Sequence, residues 1–362
     1  MREYKNKKIL ITGNTGFKGT WLTLTLKLLG ANIVGYSDKR PKKKSVISTP
    51  WLKENINQYY GKVENFKLLR KVIHEEKPDL IFHLAAQPLV IKSYKHPLQT
   101  FQSNILGTTN LLESIRIENI NIPCLVITTD KVYQVKGKNK YKESDILEGI
   151  DPYSTSKVCT EHISKCYSRL GLKIITARAG NVIGGGDWAK NRIIPDIINS
   201  YIMKKPIKLR NPSYTRPWLY ILDVIEGYLI LGKALLKIKK GNYFDTFNLA
   251  PSSNKVYDVL ALTKVVLKKL NFEKFEFDSS LNNKENQFLS LSACKIKKHL
   301  GWKSKTSFKN LIHFTVKWYL ANLKNNNLTY TENHICSYFN IAKGKKLIKF
   351  EIPSKIKEKK YA

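Results

Sequence analysis

Through the first 180 positions, short apolar runs alternate with longer stretches that are apolar on one face only. Ile9-Leu10-Ile11-Thr12 reads as a buried strand, and Phe17, Trp21, Leu22, Leu24, Leu28 and Leu29 then supply much of an apolar helix face. Gly30 closes that helix, and Ile33-Val34-Gly35-Tyr36 is the second strand. The pattern predicts a helix over Asn65 to Lys77, a turn at Pro78-Asp79 and a strand over Leu80-Ile81-Phe82-His83-Leu84-Ala85-Ala86. A helix over Asn104 to Asn119, a strand over Cys124 to Thr129, a helix over Tyr153 to Leu170 and a strand over Lys173 to Arg178 follow. Strands separated by helices of ordinary length imply an α/β fold whose mostly parallel sheet is covered on both faces. Ligands of such sheets bind outside the carboxyl ends of the strands. Gly13, Ala85, Thr129 and Ala179 fall there.

Between the first strand and helix lies Gly13-Asn14-Thr15-Gly16-Phe17-Lys18-Gly19. Glycines at this spacing let the backbone approach a pyrophosphate and aim a helix N-terminus at it, as in a Rossmann-type doubly wound sheet. A dinucleotide also needs an acid near the end of the second strand for its adenosine ribose. Asp38 stands there and points to NAD, with Lys39 and Arg40 leaving NADP as the alternative. Past residue 180 the texture changes to a glycine-rich polar loop, Asn181 to Trp188, followed by Arg192, Arg210 and Arg216. Guanidinium groups grip phosphate oxygens bidentately, so this region reads as the lid over a substrate carrying a diphosphate. The expected organisation is a nucleotide-binding domain over residues 1–179 and a smaller mixed α/β substrate domain, mainly 180–340, with some segments returning to the first. Helices around Val256 to Leu270 and Leu311 to Leu323 belong to the second, and 341–362 is a basic C-terminal extension.

Composition changes the picture in one respect. The 362 residues carry a formal net charge of +35, which raises nucleic acid, an anionic membrane surface or an anionic small substrate as partners. The lysines are spread along the chain, clustering only at Lys42-Lys43-Lys44 and between Lys343 and Lys360, and no nucleic-acid-binding motif accompanies them. Neither nucleic acid nor a membrane span is therefore expected. Five cysteines without a Cys-x-x-Cys pair fit reduced thiols better than disulfides or a metal site. With no room for a signal peptide before the first strand, a cytoplasmic protein is expected.

The chemistry centres on Asp151-Pro152-Tyr153-Ser154-Thr155-Ser156-Lys157 and on Thr128-Thr129-Asp130-Lys131 upstream. Tyr153 and Lys157, four apart, share one helix face. An ammonium beside a phenol favours its charged form, which makes the pair a general base near neutral pH.

On these residues the chain resembles the extended short-chain dehydrogenase/reductase family, in its sugar-nucleotide dehydratase branch, over roughly residues 8 to 340. The most specific carriers are the Gly-Phe-Lys-Gly turn, Thr128-Thr129-Asp130-Lys131 and Gly184-Gly185-Gly186-Asp187-Trp188. The resemblance implies NAD as cofactor, CDP-glucose as substrate and a homodimer or homotetramer paired through the Asn104–Asn119 and Tyr153–Leu170 helices. It assigns Gly13, Thr15, Gly16, Phe17, Gly19, Asp38, Leu84, Ala85, Ala86, Asn104, Thr128, Tyr153 and Lys157 to the cofactor. Gln87, Asn181, Arg192, Arg210 and Arg216 go to the substrate, and no residue to a metal. Thr129, Asp130, Lys131, Tyr153 and Lys157 are the implied catalytic set. Tyr153 takes the O4 proton as C4 is oxidised, Thr129 (or, more weakly, Thr128) hydrogen-bonds around O4, Lys131 removes the C5 proton, and Asp130 protonates the departing C6 hydroxyl. Two departures stand out. Gly61-Lys62-Val63-Glu64-Asn65 replaces the family's Gly-Asp-Ile-Arg-Asp, losing an adenine contact, and Leu219-Tyr220 stands where Gln-His is frequent. A 4-epimerase, a dehydratase of another nucleotide sugar, or a basic nucleic-acid- or membrane-binding protein on the same scaffold are the competing readings.

Overall fold

The computed structural model describes residues 1–341 apart from 43, 120, 136, 138, 139, 240, 254 and 278–288. Lys43 and the basic extension from residue 342 onward lie outside the described residues. Seven parallel strands form the central sheet: β1 (Lys8–Thr12), β2 (Asn32–Ser37), β3 (Asn57–Tyr60), β4 (Leu80–His83), β5 (Cys124–Thr129), β6 (Lys173–Ala179) and β7 (Tyr243–Leu249). Their order is β7-β6-β5-β4-β1-β2-β3, so the strand order reverses between β1 and β4. The α/β, doubly wound fold class expected from the sequence is the one observed.

Consecutive strand residues face opposite sides, which is why uninterrupted apolar runs serve a sheet buried on both. Ile9 and Ile11 pack with Trp21, Leu125 and Leu229 on one face. Leu10 packs with Leu69, Leu111, Cys124 and Val126 on the other. The first face is covered by α1 (Phe17–Leu28), and the second by α2 (Phe66–Glu76), α3 (Gly107–Glu118) and α4 (Pro152–Arg169). Each such fully buried aliphatic or aromatic side chain contributes about 1.5–3 kcal/mol.

Three elements differ from the expected pattern. The strand expected over Leu80 to Ala86 stops at His83, because the Leu84 amide turns to the Thr12 carbonyl and the Ala85 amide to the Thr12 hydroxyl. The helix expected from Asn104 is entered earlier, through Pro97–Phe101 and a π-helical turn at Gln102–Leu106 that carries Asn104. Past residue 180 come α5 (Ile193–Met203) and α6 (Ile221–Lys237). α6 lies against α1, β5 and β6, and β7 then pairs with β6. α7 (Val259–Lys269), α8 (Phe308–Leu323) and α9 (Asn327–Phe339) complete the described chain. Among the described residues no helix is long and apolar enough to cross a membrane.

Candidate active site

The loops at the carboxyl ends of β5 and β6 open onto a cleft of about 540 Å³, whose lining includes Lys18, Thr128 to Lys131, Tyr153, Asn181, Arg192, Arg210 and Arg216. Tyr153 reaches it because α4 starts where it does. Asp151 caps the helix, its Oδ1 accepting from the amides of Tyr153 (2.9 Å) and Ser154 (3.0 Å), while Ser154 Oγ accepts from the Asp151 amide (3.0 Å). Pro152 fills the first helical position, where no amide partner is needed. Burial pushes the phenol of Tyr153 up to about 12, against the hydroxyl of Thr129 and the charge of Arg192, which favour ionisation.

Lys157 sits one turn on, but its ammonium donates to the Ile127 carbonyl of β5 at 2.9 Å. Burial is the main cause bringing it down to about 8, helped by the charge of Lys18 and opposed by Glu161. For the phenol, desolvation outweighs the neighbours that favour ionisation.

After β5 the chain turns through a short 3-10 helix, Asp130–Val132. Thr129 Oγ1 donates to Asp130 Oδ1 at 3.1 Å and accepts from the Lys131 amide at 3.4 Å. Asp130 is 2% exposed, and its Oδ2 is buried without a hydrogen-bond partner among the described residues. Burial holds its carboxyl above the usual carboxylate range, although Lys131, Thr129, Arg216 and Lys18 all pull the other way. Of the two threonines, Thr128 is committed elsewhere, its hydroxyl donating to Glu161 Oε1 at 2.6 Å. Glu161 also accepts from Thr176 and from Arg178 Nε and Nη2, and Arg178 Nη1 donates to Tyr133 Oη.

The glycine turn lies at the switch between β1 and β4. Gly13 has φ +73°, and a Cβ there would lie 2.7 Å from the Ala85 amide nitrogen. A Cβ on Gly19 would run into the Gly13 carbonyl. Leu84, Ala85 and Ala86 pass beside this turn, and Gly16 begins α1 with no side-chain cap. The first amides of α1 thus present an anion site. Thr15 Oγ1 donates to the Lys39 carbonyl, and Asp38, just past β2, is exposed with Lys39 at 3.7 Å. Asn104, assigned to the cofactor by the resemblance, and Gln87, assigned to the substrate, both make internal side-chain bonds. Asn104 donates to Ser156 and to the Gln87 carbonyl, and Gln87 bonds Thr100 and both backbone groups of Leu89.

The three guanidinium groups line one cleft, each with a partner of its own: Arg192 on Asp187 (2.8 Å), Arg210 near Asp196 (3.9 Å), and Arg216 buried against the Tyr214 ring. The Leu219-Tyr220 departure leads away from the cleft. Tyr220 is fully buried with its Oη 3.2 Å from His334 Nδ1. Burial brings His334 down to about 3, so its ring is neutral. In the other departure, the Lys62 carbonyl accepts from Tyr36 Oη and the Glu64 carboxylate accepts from Ser103.

Sequence reasoning missed Lys18, Asn14, Glu161, Arg178 and Asp187. Asn14 is fully buried and ties the turn to β2 and β3 through Ser37 and Gln58. Glu161 had a readable signal, standing four residues past Lys157 on the same helix face. Lys18 had one too, because a cation in the first turn of a helix opposes its macrodipole.

A family described as GDP-mannose 4,6 dehydratase matches residues 10–315. The chain is 34% identical to CDP-glucose 4,6-dehydratase of Salmonella typhimurium over 334 residues, 88% of this chain and 92% of that protein. The fold is shared with an epimerase of Methanothermobacter thermautotrophicus (TM-score 0.80, 23% identity, 90% and 95% of the two chains). It is shared also with dTDP-glucose 4,6-dehydratase of Bacillus anthracis, solved in complex with NAD (TM-score 0.74, 22% identity, 88% and 98%).

Proposed function

Since the chain belongs to the GDP-mannose 4,6 dehydratase family, we propose that it is an NAD-dependent sugar-nucleotide 4,6-dehydratase, with CDP-glucose as substrate and CDP-4-keto-6-deoxyglucose as product. The observation that carries the reading is a buried, partner-free carboxyl oxygen on Asp130 and the amine of Lys131 lining one cleft with Tyr153. Expelling a hydroxyl needs an acid as well as a base, and an epimerase has no use for that acid. The choice of CDP rests on the Salmonella relative.

The uncapped start of α1 and the side-chain-free approach at Gly13 and Gly19 fit a dinucleotide diphosphate, with Asp38 at its ribose. When bound, NAD supplies the hydride acceptor for C4 and the donor for C6, and its cationic ring favours the phenolate of Tyr153. Tyr153 Oη takes the proton of the O4 hydroxyl, oriented by Thr129 Oγ1, because Thr128 is held by Glu161. Lys157, one helical turn after Tyr153, is anchored to the Ile127 carbonyl and supplies the positive charge that this reading pairs with the phenol. Once C4 is a ketone, Lys131 Nζ removes the acidified C5 proton. Asp130, kept neutral by burial, gives its proton to the C6 oxygen, which leaves as water. Arg192, Arg210 and Arg216, on the proposed substrate unit of residues 180–340, hold the diphosphate, and Asn181 lines the same wall.

The test is to offer CDP-, dTDP-, GDP- and UDP-glucose with NAD and follow loss of water by mass, with solvent deuterium entering at C5. CDP-glucose is expected to react. Turnover of dTDP-glucose alone would replace the substrate, and no elimination from any of the four would overturn the reaction.

A further inference from the structure

Lys18 is the second residue of α1. An ammonium there faces the positive end of the helix dipole, so the fold gains nothing locally from its charge. It lines the cleft, and its Nζ lies 3.4 Å from the hydroxyl of Tyr228, a fully buried residue of α6. The charged groups that act on it come from three different segments: Asp130 after β5, Lys157 on α4, and Asp187 and Arg192 in the loop leading to α5. Asp130 in turn is faced by Thr129, Lys131, Arg216 and Lys18. Arg216 has a diphosphate to grip and Lys131 a proton to remove. Lys18 is the cation of this set with no such task.

Resting on the dehydratase reading, we propose that Lys18 is a positioning residue for the elimination: seated on Tyr228 in the same cleft, its ammonium joins Lys131 and Arg216 in lowering the pH at which Asp130 releases its proton. When Asp130 Oδ2 passes that proton to the C6 oxygen, the C6–O bond breaks, water departs and a buried carboxylate remains. Burial alone makes that carboxylate costly. A fixed cation nearby offsets the cost and keeps the acid close to its working pH, where proton transfer is most efficient. Lys18 itself is brought down to about 8, by burial first and then by Arg192, while Asp130 and Asp187 hold it up. It therefore carries its charge at neutral pH and loses it in alkali.

The experiment compares the wild-type chain, Lys18→Met and Lys18→Ala. In Lys18→Met the alkaline limb of the kcat profile should move up by about one pH unit, with kcat at neutral pH down about tenfold. Added methylammonium or ethylammonium should move the limb of Lys18→Ala back toward wild type. Lys157 would shift in the same direction without Lys18, so a second readout isolates the acid. An infrared titration of the Asp130 carboxylic C=O band, assigned by its loss in Asp130→Asn, needs no turnover. The band should persist to higher pH in Lys18→Met than in wild type. An unshifted band, or lower activity with an unmoved limb and no amine rescue, overturns the proposal. If the wild type eliminates water from no nucleotide sugar, the dehydratase reading fails instead, and the infrared titration still decides whether Lys18 governs Asp130.

Discussion

A carboxyl whose second oxygen is buried without a partner, as in Asp130, is kept neutral at a cost to folding. In the unfolded chain an Asp ionises near its ordinary value of about 3.9. In the folded chain Asp130 ionises higher, so the folded state holds the extra proton and loses stability as pH rises between the two values. Asp130→Asn should therefore raise Tm by about 2–4 °C at pH 8 and by less at pH 4. The same substitution should cut elimination about 100- to 10,000-fold. Melts at both pH values and a product assay check this, and a gain independent of pH would count against the raised carboxyl. The sequence put Asp130, Lys131 and Tyr153 within reach of one another because both motifs fall at strand or helix ends that open on one edge of the sheet. It ranked Thr129 over Thr128 by resemblance, without a physical reason for the order. That distinction depends on Glu161, 33 residues away from Thr128, which takes up one hydroxyl and leaves the other.

Helix starts do much of the positioning. The reciprocal cap between Asp151 and Ser154 fixes the first turn of α4, and with it the direction of Tyr153. Asp151→Ala should cost about 0.5–2 kcal/mol in urea unfolding and lower kcat, whereas Asp151→Asn should keep most of both. Gly19→Ala would drive a methyl into the Gly13 carbonyl and reshape the turn. NAD affinity, read by tryptophan fluorescence, should fall while secondary structure by circular dichroism stays intact. Elements with a strong local signal were legible: β1, β2, β5 and β6 are apolar runs bounded by turn formers. β3 was not, because Asn57-Gln58-Tyr59-Tyr60 is an edge strand with no buried residue. α6 also went unread, although Asp223, Glu226, Lys233 and Lys237 recur along it at helical spacing and its other side is apolar.

For the molecule as a whole, the proposed diphosphate grip draws on the +35 charge where Arg192, Arg210 and Arg216 line one cleft. Attraction of a dianionic diphosphate into it is screened by salt. KM for CDP-glucose should rise several-fold between low and physiological ionic strength with kcat nearly constant, as steady-state kinetics in a salt series will show. The pairing of β7 with β6 was beyond reach of local pattern, because it joins residues about 70 positions apart across the whole intervening substrate segment. It also bears on synthesis. A nascent chain emerging from the ribosome completes β1 to β6 long before residue 249 is available. Until α6 and β7 arrive, Leu125, Ala177 and the free edge of β6 stay bare to water, an invitation to wrong pairing.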